Sequence, residues 1–221
     1  MSAPFVRGSV RVVAFDWGGV ILKICRGWAE GCAAAGIDAR PDVMAPEAIA
    51  RRRPVHAMYQ EGRITCAQFC ERLSEAMDRL YSPSEIRRIH DAWLLHEYPG
   101  VKEIIDTLHG AGSVETALLS NTNHAHWVRQ SPECGLPHFP TAGSLRHRLA
   151  SHLEGCAKPG EAFYRALESA TGATGGEIVF FDDLQENIDT ARTIGWRAEK
   201  IDHTGDTAAQ IRAHLERHGV L

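Results

Sequence analysis

Long apolar runs are missing from this 221-residue chain. None approaches the roughly 20 residues that a membrane-spanning helix needs, so no membrane partner is expected. The six cysteines, at 25, 32, 66, 70, 134 and 156, form no Cys-x-x-Cys pair, which argues against a zinc ribbon or a thioredoxin-type motif. Cys66 and Cys70, four apart on a predicted helix, read as paired core or surface thiols rather than a metal site. Nothing in the cysteine pattern demands disulfides, and Met1-Ser2-Ala3-Pro4 does not resemble a secretory leader. A reduced, cytoplasmic protein is therefore expected. A charge excess is absent as well: the formal net charge is −4. The one dense basic run, Arg51-Arg52-Arg53, is short, is followed by Pro54, and reads as a solvated helix end, so no nucleic-acid partner is expected. Internal repeats, low-complexity tracts and coiled-coil heptads are also missing.

The hydrophobic pattern present is that of an α/β protein. Residues 10–15 are short, β-branched and closed by glycine, as a buried strand should be. From Cys25 to about His96 no convincing strand occurs, and Pro41, Pro46, Pro54 and Pro83 punctuate three or four helical stretches. Thr65 with Gln68, and Ser82 with Glu85, carry helix-start signatures. Beyond Pro99-Gly100, helix and strand alternate: helix from Val101 to His109, strand from Val114 to Leu119, loop from Ser131 to Gly143, helix from Glu161 to Ala170. Strand from Glu177 to Phe181, helix from Ile188 to Ile194, a weak strand from Ala198 to Ile201 and a terminal helix from Thr207 to His218 complete the pattern. Such alternation predicts a Rossmann-like parallel sheet with helices on both faces. The expected core comprises residues 1–22 and 97–221, with an inserted small helical cap at 23–96. A cap emerging directly after the first strand would hang over the ligand crevice and exclude water.

Four pieces carry the chemistry. Asp16 closes the first strand and is followed by Trp17, Gly18 and Gly19. Ser120-Asn121 closes another strand. Lys158, one of only four lysines, lies in Cys156-Ala157-Lys158-Pro159. Asp182-Asp183 ends the run Ile178-Val179-Phe180-Phe181, with Asn187 shortly beyond. Two acidic strand ends could hold a hard cation such as Mg2+. A carboxylate nucleophile, a hydroxyl, a lysine and paired acids suit phosphoryl transfer through an acyl phosphate. Ser120 serves equally as a helix cap, and Asn187 is either a cap or a partner of the acids.

Taken together the four motifs resemble the haloacid dehalogenase-like (HAD) hydrolase superfamily over essentially the whole chain. Motif one is similar to Phe15-Asp16-Trp17-Gly18-Gly19-Val20, motif two to Leu118-Leu119-Ser120-Asn121, motif three to Lys158-Pro159, and motif four to Phe180-Phe181-Asp182-Asp183 through Asn187. The stretch from Ser120 to His126 looks most like a branch holding sugar-1-phosphate phosphatases and the phosphatase domain of soluble epoxide hydrolases. The resemblance implies a magnesium-dependent phosphatase of a small phosphorylated metabolite, working as a monomer or homodimer. It makes Asp16 the nucleophile and a metal ligand, beside the Gly18 carbonyl and Asp183. Asp182 is either a further ligand or a neighbour of the ligands. Ser120, Asn121 and Lys158 bind the phosphoryl group.

One position departs from the pattern. Family phosphatases usually carry a second aspartate two residues after the nucleophile, where this chain has Gly18. General acid–base catalysis typically contributes about 10²–10⁴-fold, so a slower enzyme, a substrate with a better leaving group, or a proton from His56, Tyr59, His90 or His96 is implied. Two alternatives follow: a HAD-fold protein that binds a phosphorylated ligand or a partner with little turnover, and a metal-free hydrolase of the dehalogenase type. The Trp17 motif also resembles phosphonoacetaldehyde hydrolases, but these need a cap lysine for a Schiff base and the insertion has none beyond Lys23. Arg26, Arg53 and Arg63 are the cap arginines able to reach an anion, with an ordinary surface role as the default.

Overall fold

A computed structural model describes residues 9–221; residues 1–8, part of the expected core, lie outside the described residues. Its centre is strand β1 (Val12–Phe15), buried along its whole length. β1 pairs in parallel with β4 (Glu115–Ser120) on one side and β6 (Ile178–Asp182) on the other. Outer strands β5 (His147–Ala150) and β7 (Arg197–Lys200) complete a parallel sheet of order β5-β4-β1-β6-β7.

Alternation along these strands builds two cores. Val13, Phe15, Leu118, Val179 and Phe181 face one side, where they meet Ile104, Ile105 and Leu108 of α5 (Val101–Ala111) and Ile211 and Leu215 of α10 (Thr207–Arg217). Val12, Ala14, Ala117, Leu119, Ile178 and Phe180 face the other, against Phe163 and Leu167 of α8 (Glu161–Thr171) and Ile188 and Ala191 of α9 (Gln185–Thr193). Both faces are thus sealed, which leaves the strand ends as the place where polar groups gather.

Between β1 and α5 the chain leaves the sheet. Strands β2 (Leu22–Ile24) and β3 (Leu94–Glu97) pair antiparallel as a two-stranded stem. Four helices lie between them: α1 (Trp28–Ala35), α2 (Pro46–Gln60), α3 (Cys66–Ala76) and α4 (Pro83–Asp91). They share their own core, with Trp28, Tyr59, Phe69, Leu73, Met77, Tyr81, Ile86 and Ile89 buried together. The capping boxes at Thr65–Gln68 and Ser82–Glu85 are both formed.

The structure corrects the sequence reading at several points. Pro54 lies inside α2 rather than ending a helix. Its missing N–H costs one backbone bond, but Val55 and Tyr59 beyond it are buried in the cap core. The run Arg51-Arg52-Arg53 is therefore mid-helix, and Arg52 is buried, with its guanidinium 5.5 Å from the Trp28 ring. Strands β2, β3 and β5 were not expected; each is only three or four residues long. Helix α9 starts three residues before the expected Ile188. The loop from Ser131 to Gly143 is punctuated by short 3₁₀ turns at Pro132–Cys134 and Ala142–Ser144, and two further four-residue helices are present, α6 (His124–Trp127) and α7 (Ser151–Glu154).

Leu73 is fully buried in the cap while Leu153 is 61% exposed. Leu73→Ala is expected to lower the unfolding free energy by about 2–5 kcal/mol. Leu153→Ala should change it by less than about 0.5 kcal/mol. Urea denaturation of both variants checks the contrast.

Candidate active site

Register brings the acids together. Phe15 stands opposite Leu118 on one side and Phe181 on the other. The next residue, Asp16, donates its N–H to the Phe181 carbonyl at 2.8 Å, so it leaves the sheet beside Asp182 and Asp183. Carboxylate oxygens of Asp16, Asp182 and Asp183 all lie within 4.8 Å of one another, and all three residues are buried.

Three like charges so close demand compensation. Lys158, its side chain almost fully buried, supplies part of it: Nζ is 2.9 Å from Asp16 Oδ1 and 2.7 Å from Asp182 Oδ2. Asn121 fixes the lysine from behind. Its Nδ2 donates to the Lys158 carbonyl and its Oδ1 accepts from the Lys158 N–H, both at 2.8 Å. Asp182 is further saturated by Asn187 Nδ2, 3.0 Å from each carboxylate oxygen, and by the Leu184 N–H at 2.8 Å. Asp183 instead meets a guanidinium from just beyond β2, with Arg26 Nη1 at 2.6 Å.

The glycines after Asp16 differ in kind. Gly19 has φ +85°, and a Cβ there would stand 2.5 Å from the Asp183 carboxyl, so only glycine fits. At Gly18 the backbone carries no such restriction. A Cβ would meet only Ile24 Cδ1, at 2.8 Å, the far end of a flexible side chain.

Burial raises the Asp16 carboxyl to about 7; Lys158 opposes the shift, while Asp182 and Asp183 add to it. For Lys158, burial disfavours the charge, yet Asp16 and Asp182 outweigh it and the pKa is raised. The donor set fits a magnesium ion: it is all oxygen and strongly anionic, and one lysine and one half-exposed arginine leave it a cation short. Asn187 Oδ1, buried without a partner beside the acids, is a further oxygen lacking a counterpart.

Above this edge, between sheet and cap, lies a cavity of about 190 Å³. Its floor includes Trp17, Gly18 and Ser120 through Asn123, and its roof Trp28, His56, Tyr59, Phe69, His90 and Trp93. Among the described residues, no Lys, Arg, Asp or Glu lines it. Its three histidines are neutral at physiological pH. Burial, helped by Arg52, lowers His56 to about 4; burial lowers His126 to about 4 despite its bond to the His90 carbonyl; burial and then His126 bring His90 well below its usual value. His126 Nε2 donates to the His90 carbonyl at 2.9 Å, and the two rings stack with centroids 3.9 Å apart. The Trp17 indole N–H and His90 Nδ1 are buried without partners.

Asp16, Lys158, Asp182 and Asp183 are thus gathered in one cluster, and Gly18, Ser120 and Asn121 border the cavity beside it. The Asn121 carboxamide is spent on the Lys158 backbone, which leaves only its main chain for a ligand. Of the four candidate proton donors, His56, Tyr59 and His90 line the cavity, and His96 does not. Arg53 is exposed on α2, whereas Arg26 reaches the acids. The only sequence signal for Arg26 was its position just after the first strand's turn.

Because the folded pKa of Asp16 lies above its unfolded value of 3.8, this group favours the folded state most at low pH, and that contribution is lost as pH rises through about 7. A cation must displace the Asp16 proton below that range. Magnesium is therefore expected to raise the melting temperature more at pH 8 than at pH 5.5, as thermal unfolding with and without the metal will measure. An equal shift at both values would contradict the assignment.

Known proteins share this architecture. A predicted HAD-like family hydrolase from Porphyromonas gingivalis superimposes with a TM-score of 0.73 at 24% identity, over 93% of this chain and 98% of that one. The HAD family enzyme bt-2542 from Bacteroides thetaiotaomicron, as an Asp-to-Ala mutant in complex with magnesium and inorganic phosphate, gives 0.69 at 21% identity, over 92% and 100%. A curated relative, phosphatase MT3486 from Mycobacterium tuberculosis, is 26% identical over 124 residues, 56% of this chain and 55% of its own length. No helix among the described residues is long and apolar enough to cross a membrane. The haloacid dehalogenase-like hydrolase family model matches residues 10–195, and with the sheet, the inserted cap and the clustered acids at the strand ends, the chain belongs to that family.

Proposed function

We propose that this chain is a magnesium-dependent phosphatase acting on a small, uncharged, oxygen-bearing alcohol esterified to phosphate. The observation that carries the reading is Asp16: a buried strand-end carboxylate held by Lys158 at 2.9 Å, within a three-acid cluster beside a cavity between sheet and cap. The phosphatase and the magnesium–phosphate complex among similar proteins support it.

In this reading an Asp16 oxygen attacks phosphorus, the ester P–O bond breaks, the alcohol departs as its alkoxide and takes a proton from water, and the phosphoryl group passes to Asp16 as an acyl phosphate. Water then attacks phosphorus, which releases phosphate and restores the carboxylate. Lys158 steers Asp16 and offers positive charge to the phosphoryl oxygens, and the Ser120 hydroxyl donates to them. Magnesium, held by Asp16, Asp183 and the Gly18 carbonyl, would neutralise phosphoryl charge. Asp182, with both oxygens engaged, orients Lys158 and Asn187.

The cavity argues for the leaving group. It lacks charged walls, and an ionic leaving group would be buried there unpaired. The orphaned Trp17 N–H and His90 Nδ1 suit oxygen atoms and hydroxyls. Gly18 motivates the rival reading, a ligand-binding protein with little turnover, since no side chain there can protonate the alcohol. Carbon–halogen cleavage is disfavoured by the three clustered carboxylates, which suit a cation that such chemistry does not use.

Phosphate release from a panel of esters should require magnesium and fall to background in Asp16→Asn. Neutral alcohols should be preferred over charged ones of similar size by at least about tenfold in kcat/KM. Absence of release from every ester, with magnesium bound, would favour the binder. A second test restores the acid: Ile24→Val removes the one atom, Cδ1, that a Cβ at position 18 would strike. The double variant Gly18→Asp/Ile24→Val should raise kcat on poor leaving groups by about 10²-fold or more relative to Ile24→Val alone.

A further inference from the structure

A second cavity, of about 550 Å³, shares Tyr59 with the cavity beside the acid cluster. Its walls come from the cap, including Arg63 and Cys66, and from the core, including His124 and His152. Cys66 is the first residue of α3, directly after the Thr65 cap, so its sulfur sits at the positive end of a helix. Arg87 Nη1 donates to that sulfur at 3.2 Å, while its Nε is anchored on both oxygens of Asp91 at 2.9 and 2.8 Å. The Tyr59 hydroxyl, on a residue only 4% exposed, is buried against the same sulfur and has no other hydrogen-bond partner. Both ring nitrogens of His152 are likewise buried and unpartnered. A nucleophilic sulfur surrounded by donors, facing a space in the size range of small-molecule sites, is not used by the phosphatase chemistry.

Ionisation follows the geometry. Contact with the Cys70 thiol, then with Tyr59 and Arg87, overcomes burial and lowers Cys66 to about 6. Cys70 is driven the other way, upward, by the same contact and by burial, and stays a thiol. A metal is not indicated, since the only group of three ligating side chains among the described residues is the acid cluster.

We propose that Cys66 is a modification site for low-molecular-weight disulfides, whose transferred half occupies the cavity between cap and core. The Cys66 thiolate attacks one sulfur of the disulfide, the S–S bond breaks, the second sulfur departs as a thiolate, and Cys66 carries a mixed disulfide. The Cys70 thiol, the Tyr59 hydroxyl and Arg87 are the groups that hold the attacking sulfur in its ionised form.

The test treats the full chain with glutathione disulfide at pH 6 and maps adducts by peptide mass spectrometry. At that pH an ordinary thiol is almost wholly protonated, while the lower intrinsic nucleophilicity of an acidic thiol offsets part of the gain. The net expectation is that Cys66 reacts about tenfold faster than Cys134 and Cys156, the other partly exposed cysteines. Arg87→Leu should slow Cys66 severalfold, and a thiol reductant should remove the adduct. Equal or faster reaction at Cys134 or Cys156, or an adduct that survives reduction, would overturn the proposal. The wild-type map needs no variant to fold, and labelling needs no turnover, so this result is independent of the phosphatase reading.

Discussion

One buried ammonium holds the functional end of this molecule together. Lys158 bridges Asp16 and Asp182 with its side chain almost wholly out of solvent. Without it, two carboxylates would share a low-dielectric edge with no counter-charge, and the sheet could close only with protons on them. The lysine is itself held by its backbone, clamped at both its N–H and its carbonyl by the Asn121 side chain. The ends of β1, β4 and β6 and the loop before α8 are thereby tied to one point. The parallel register of the strands is what lets a single lysine serve both acids.

This arrangement explains the division of labour between the two halves. The sheet edge is rich in charge, with Asp183 turned toward Arg26 and Asp182 saturated by Lys158 and Asn187. The cavity above it has none, and its histidines are kept neutral by burial. A phosphate ester has the same polarity, an ionic head and a neutral body. The antiparallel stem of β2 and β3 joins the two environments and carries Ile24 into the space next to Gly18.

Much of this was legible in the sequence. Asp16 and Asp182-Asp183 each end an apolar run, and a buried parallel strand leaves only its end for polar groups. The Thr65 and Ser82 caps were readable because their signals are local. What escaped reading depends on contacts distant in sequence. Strands β2, β3 and β5 are too short to show a period of two. Pro54 is carried through α2 by the cap core, and Arg52 is buried by that packing. Asn121 looked like a ligand for phosphate, yet its amide answers to a backbone 37 residues away. Arg26 was one of three cap arginines able to reach an anion, yet folding sets it against Asp183, 157 residues on.

The two glycines after Asp16 differ in how readily they could be replaced. Every non-glycine residue at position 19 would place a Cβ 2.5 Å from the Asp183 carboxyl, well inside van der Waals contact, on a backbone angle that L residues avoid. Sterically, that position admits only glycine. Position 18 is not so restricted: a glycine codon of the GGT or GGC type becomes an aspartate codon by one base change, and the obstacle is a single methyl group of Ile24. An acid two residues after Asp16 is therefore sterically one side-chain adjustment away, whereas any side chain at position 19 would require rebuilding the turn.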